Sequence, residues 1–180
     1  MEGKKCFIRL MTIVGIFVLT FNSSIGQPSY KDQIYKAYIR GNMTKWYAIM
    51  TACETDGKRN TTDAKLELIN YYYGYTGWLI SVKKYEEAKL YIGKSENIIN
   101  NILVENPQNA TALAYKGAFL AYEIGVTNLK AIFLGYKSMG YIDQALEIEP
   151  GRKEVWNDIG EILEKIGKLE EAKICYEKAR

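Results

Sequence analysis

Trp156-Asn157-Asp158-Ile159-Gly160-Glu161-Ile162-Leu163, followed by Gly167-Lys168-Leu169-Glu170-Glu171-Ala172-Lys173-Ile174-Cys175-Tyr176-Glu177-Lys178-Ala179, decides how this chain folds. Trp156, Ile159, Leu163 and Ile166 recur at helical spacing on one stripe, and Leu169, Ala172, Tyr176 and Ala179 on a second. Gly167-Lys168 supplies the turn between them, and Pro150 closes whatever precedes. Gly160 and Ala172 are small where two antiparallel helices must cross closely. A hairpin of this size cannot bury its apolar stripe alone, so it needs similar neighbours to stack on.

Working back toward the N-terminus, the neighbours are present. Lys84-Tyr85-Glu86-Glu87-Ala88-Lys89 repeats Lys168-Leu169-Glu170-Glu171-Ala172-Lys173 nearly residue for residue. The helix before it carries Leu66, Ile69, Tyr73 and Leu79, with Asp63 expected at its cap. The helix after it carries Ala88, Ile92, Ser95, Ile99 and Ile102 until Asn106-Pro107 stops it. A further hairpin opens at Ala110 with Leu113, Gly117, Leu120 and Ile124, and closes with Ile142, Ala145, Leu146 and Pro150. The first hairpin runs from about Tyr30 to Cys53, broken at Gly41-Asn42. Its first stripe is expected to be Ile34, Tyr35, Tyr38 and Ile39, its second Trp46, Ile49, Met50 and Cys53. Glycines at 125, 135 and 140 are poor helix interior residues, so an irregular or broken segment is expected over 125–138. The fold expected is all-α, about four stacked hairpins, with 27–180 as one repeat domain.

The spacing W-x2-[LI]-G followed by A-x3-[FY] resembles the tetratricopeptide repeat. Positions with repeat character are Ala88, Pro107, Gly117, Ala145, Pro150, Trp156, Gly160, Ala172 and Tyr176. Departures from the pattern are also plain. Ala88 and Ala172 are 84 residues apart, not a multiple of the usual period of about 34, and Thr76-Gly77 stands where the last hairpin has Ile159-Gly160. The resemblance implies an α–α superhelix that binds a peptide or protein on its concave face and brings no catalytic residues, cofactor or metal. It also implies that first helices line that face, which by spacing would include Asn70, Tyr73, Tyr122, Asn157 and Glu161.

Composition narrows the chemistry. The chain contains no histidine, which removes Ser-His-Asp and Cys-His constellations and the commonest metal ligand. Lys4, Lys5 and Arg9 precede the apolar run Leu10 to Phe21, and Ser24-Ile25-Gly26 follows it, which reads as a signal peptide over 1–26 with cleavage before Gln27. A retained anchor is the other reading. Export to the periplasm or medium, with membrane contact only in transit, is the expectation, and the junction has a bacterial style. Of 24 basic and 21 acidic residues, those three cations and Glu2 lie in the leader, leaving 21 and 20. Nucleic-acid binding, which calls for a basic stripe, is not expected. Cys53 and Cys175, in the first and last hairpins, are expected as buried apolar side chains.

Three local motifs have structural readings. Gly93-Lys94-Ser95 ends a relaxed phosphate-loop pattern, but it sits on a helical apolar stripe with no preceding strand. Glu86-Glu87 and Glu170-Glu171 sit in first turns, where carboxylates meet the positive end of the helix dipole. The sequons at Asn42, Asn60 and Asn109 fall at turns and caps. The fifteen tyrosines, all after residue 27, either fill wide helix–helix interfaces or form an aromatic binding face. Two functions remain: a non-enzymatic scaffold gripping a polypeptide segment, or a small-molecule or glycan module with an aromatic-lined groove.

Overall fold

The structure, a computed structural model, describes residues 29–127 and 131–151 and, in the last hairpin, residues 157, 160, 164 and 169–178. Seven helices occur among these: α1 Tyr30–Ile39, α2 Met43–Thr55, α3 Thr62–Ser81, α4 Tyr85–Glu105, α5 Ala110–Thr127, α6 Ala131–Ile148 and α7 Leu169–Lys178. No strand occurs among the described residues. The leader, Trp156 and Glu161 lie outside them, as does the side chain of Ala172.

The helix starts are set by short polar side chains that accept from otherwise unpaired backbone N–H groups. Ser29 accepts from Asp32 at 3.1 Å, Asn42 from Lys45 at 2.9 Å, Thr61 from Ala64 at 3.2 Å and Asn109 from Ala112 at 2.9 Å. Asp63, the expected cap of α3, instead occupies the first turn, because Thr61 is placed to accept first. The turns of the first two hairpins share one geometry. Gly41 and Lys83 both sit in the left-handed region, at φ 60° and 61°. The N–H after each closes a 2.9 Å bond back onto the preceding helix, Asn42 to Ala37 and Lys84 to Leu79.

From α1 to α6 each helix packs on the next along the chain, and α3 also packs directly on α5. With α2, α4 and α5 around it, α3 buries Tyr71, Tyr72 and Tyr75 in different directions at once. The core is a succession of clusters, one spanning α1 to α5 around Met50, Ile69, Tyr72 and Ile99, the next joining α5, α6 and α7 around Ile142 and Ala145. Cys53 is buried in the first and Cys175 in the second. Among the described residues no helix is long and apolar enough to cross a membrane.

Two expectations need correction. Of the segment 125–138, expected to be irregular or broken, 125–127 and 131–138 are helical, α5 continuing to Thr127 and α6 beginning at Ala131, while 128–130 lie outside the described residues. Each helical glycine costs about 1 kcal/mol relative to alanine, but α6 buries Leu134, Ser138, Ile142 and Ala145 against α5. Ser138 donates to the Gly117 carbonyl at 2.7 Å there. Burying that stripe outweighs the propensity deficit. The second correction falls on α1, whose buried residues are Ile34 and Ala37. Tyr35, Tyr38 and Ile39, placed on the inward stripe by periodicity, are mostly exposed. The reason is that α1 packs on α2 but does not lie against α3 as α3 lies against α5.

Candidate functional site

That missing contact leaves a groove of about 270 Å³ between α1 and α3, open to solvent. Lys31, Ile34, Tyr35 and Tyr38, spaced at one helix face, form one wall. Asn70, Tyr71 and Tyr73 form the other, and Trp46 from α2 lies across the floor with Gly74. The floor is possible because Gly74 has no side chain: a Cβ there would stand 2.8 Å from two carbons of the Trp46 ring. Trp46 is only 7% exposed, its indole N–H has no acceptor in the fold, and Tyr38 meets it edge-on at 5.9 Å. Tyr35 and Tyr38 are each 63% exposed, so their flat faces are available along the opening.

The next interval, between α3 and α5, is filled by the protein's own rings. Tyr73 stacks on Tyr122 at 4.8 Å and 22° and also meets Tyr115 and Phe119. Gly77 makes room for this packing, since a Cβ there would lie 2.8 Å from the Tyr122 hydroxyl. The Tyr115 hydroxyl donates to the side-chain oxygen of Asn70, itself part of the groove lining, at 3.0 Å. At the far end, Glu67 accepts from both Arg59 and Tyr71. Burial alone would raise the Glu67 carboxyl, but these two bonds and the Arg59 charge outweigh it and hold it below the usual carboxylate range. Burial and the bond to Glu67 push the Tyr71 hydroxyl well above its ordinary value. Arg59 also lies over the Tyr30 ring at 5.3 Å. The carboxylate beside the groove is therefore committed to the fold.

Of the residues placed on a binding face by sequence spacing, Asn70 and Tyr73 line this groove. Tyr122 lies on the other side of Tyr73, in the filled interval, so both rings also brace α3 against α5. Asn157 is exposed in the last hairpin, away from the groove lining, and Glu161 lies outside the described residues. Periodicity missed Lys31, Tyr35, Tyr38, Trp46 and Gly74. The available signal was the surplus of apolar residues on α1, a ten-residue helix with more aromatic surface than one neighbour can cover. Among the motif residues, Ser95 is buried within α4 and donates to the Tyr91 carbonyl at 2.8 Å, which leaves no phosphate-binding loop. Glu86 and Glu87 pair with Lys89 and Lys84 on the α4 surface. Gly160 is buried, and a Cβ there would meet the Tyr176 ring at 2.5 Å. Ala88 and Ala145 are fully buried, Gly117 is buried, and Pro107 and Pro150 are exposed after helix ends.

Successive hairpins, close glycine crossings and a side-on groove define an all-α helical-repeat scaffold. Residues 153–179 match the profile of the tetratricopeptide repeat. That match covers the last hairpin of the sequence and no more of the chain. Solved structures of similar shape include a thermophilic tetratricopeptide-repeat protein from Thermus thermophilus. It is 17% identical over 84% of this chain and 90% of that one, with a TM-score of 0.44. A structure titled MamA MSR-1 C2 is 16% identical over 83% of this chain and 92% of that one, with a TM-score of 0.36. A search of curated proteins finds no match.

Proposed function

We propose that this chain is a non-enzymatic, exported scaffold that grips a segment of a partner polypeptide in the groove between α1 and α3. Tetratricopeptide repeats are in general protein-interaction scaffolds, and the groove is a concave place where this chain leaves aromatic surface without a neighbour. The observation that carries the reading is the contrast between two equivalent intervals. Between α3 and α5 the aromatic rings pack on one another, whereas between α1 and α3 they line an opening. A small-molecule pocket encloses its ligand in about 300–1,000 Å³. This groove is open to solvent, so a chain passing through it is favoured over a glycan or metabolite enclosed inside.

A photo-crosslinking amino acid at position 38 tests the reading. It should capture one partner that the same group at Asn97, exposed on α4, does not capture. Equal capture from both positions, or none from position 38, would remove the groove as the binding surface. Export is part of the proposal, carried by the leader pattern of residues 1–26. Intact mass of the native protein should place its first residue at Gln27, and native material retaining Met1 to Gly26 would overturn that part alone.

A further inference from the structure

We infer that the segment the groove takes is extended, proline-containing and without a positive charge facing the groove. This rests on the groove being the polypeptide site. It follows from the charge of the lining, one cation and no carboxylate, and from its shape.

The groove lining offers donors and lacks a carboxylate. Lys31 contributes an ammonium, Asn70 a side-chain amide whose oxygen already accepts from Tyr115, and the exposed Tyr35 and Tyr38 contribute hydroxyls that donate and accept. Trp46 lies on the floor, its indole N–H buried beneath the surface and out of reach of an occupant. Glu67, beside the groove, is bound to Arg59 and Tyr71. The complement of such a surface carries no positive charge, offers carbonyl acceptors to Lys31 and Asn70, and presents apolar surface to the rings. A β-strand presents N–H groups that need acceptors, and a helix spends its carbonyls internally and is about 10–12 Å across. A polyproline II segment leaves every carbonyl unpaired, and each proline removes one N–H. Lys31 opposes a cationic residue at its end of the groove and favours a neutral or acidic one.

Shape agrees with polarity. Flat rings on both walls over an indole floor suit the flat pyrrolidine ring, the arrangement by which aromatic-lined grooves hold proline-rich segments at low ordering cost. The site is also continuous with an interface the protein already makes. Tyr122 stacks on Tyr73 from one side, and a ring entering the groove extends the same row toward Tyr35 and Tyr38.

The test titrates the purified chain with a decaproline peptide, a Gly-Ser peptide of equal length, and a decaproline with central lysines, following the Trp46 indole resonance. Decaproline should shift that resonance and the Gly-Ser peptide should not. Central lysines should weaken binding, and Tyr38→Ala should weaken it by about tenfold or more while leaving the melting temperature unchanged, because the ring is exposed. Decaproline that fails to bind, or binds Tyr38→Ala equally well, overturns the inference. A random peptide library run in parallel separates the two levels. Enriched peptides without proline whose binding needs Tyr38 would overturn the proline occupant and leave the polypeptide groove standing, and a library with no Tyr38-dependent binder would overturn both.

Discussion

Gly117→Ala is expected to destabilise this protein, although the same exchange at Gly93 should stabilise it. Both glycines lie inside helices, where alanine is favoured by about 0.8–1.0 kcal/mol. At Gly93 the added methyl meets nothing within 4 Å, so most of that gain should appear. At Gly117 the methyl would stand 2.5 Å from Ile142 Cγ1 and 2.8 Å from the backbone oxygen of Ser138. Ile142 and Ser138 are both fully buried, and Ser138 donates to Gly117 at 2.7 Å, so neither can give way without separating α5 from α6. Overpacking of this kind costs about 1–3 kcal/mol and occasionally more, and loss of the hydrogen bond adds about 0.5–1.5 kcal/mol. Subtracting the propensity gain leaves a net loss of about 1–3 kcal/mol. Urea denaturation followed by far-UV circular dichroism reads the sign directly, with the midpoint falling for Gly117→Ala and rising for Gly93→Ala. The penalty should shrink in an Ile142→Ala background, where the methyl fills space instead of contesting it. Midpoints that rise alike for both variants would refute the close crossing of α5 on α6.

Three further outcomes follow from single features. Thr76→Val should raise stability by about 1 kcal/mol, since the Thr76 hydroxyl is fully buried with no partner, and a thermal melt checks it. Lys83→Gly should also stabilise, by about 0.5–1 kcal/mol, because Lys83 holds φ at 61° where glycine is unstrained; a loss would mean its side chain does more than make the turn. Glu67 is held below the usual carboxylate range in the folded protein, so its contribution is present above the unfolded value near about 4.3 and is lost as pH falls through the lower folded value. The melting temperature of Glu67→Gln should therefore lie below that of the parent at neutral pH, with the gap closing at acid pH, and a constant gap would refute the assignment.

The sequence by itself determined the hairpins. Trp156 to Ala179 shows its two stripes, Gly41-Asn42 and Lys83-Lys84 mark turns, and Asn106-Pro107 ends a helix, because caps, turns and periodicity act between residues a few positions apart. It also placed Asn70 and Tyr73 on the side where the groove opens. Tertiary structure decided which apolar residues are left uncovered. Tyr35 and Tyr38 satisfy the same periodicity as Ile34, and only because α1 does not lie against α3 as α3 lies against α5 are they groove walls instead of core. Segment 125–138 is helical where described because α5 and α6 share a long buried face that outweighs its glycines. Gly117 and Gly93 look alike in the chain and differ only in what stands 2.5 Å away in one case and beyond 4 Å in the other. Local preference is a matter of about 1 kcal/mol per residue, whereas coverage by a neighbouring helix is fixed by contacts among residues far apart in sequence, which periodicity does not record.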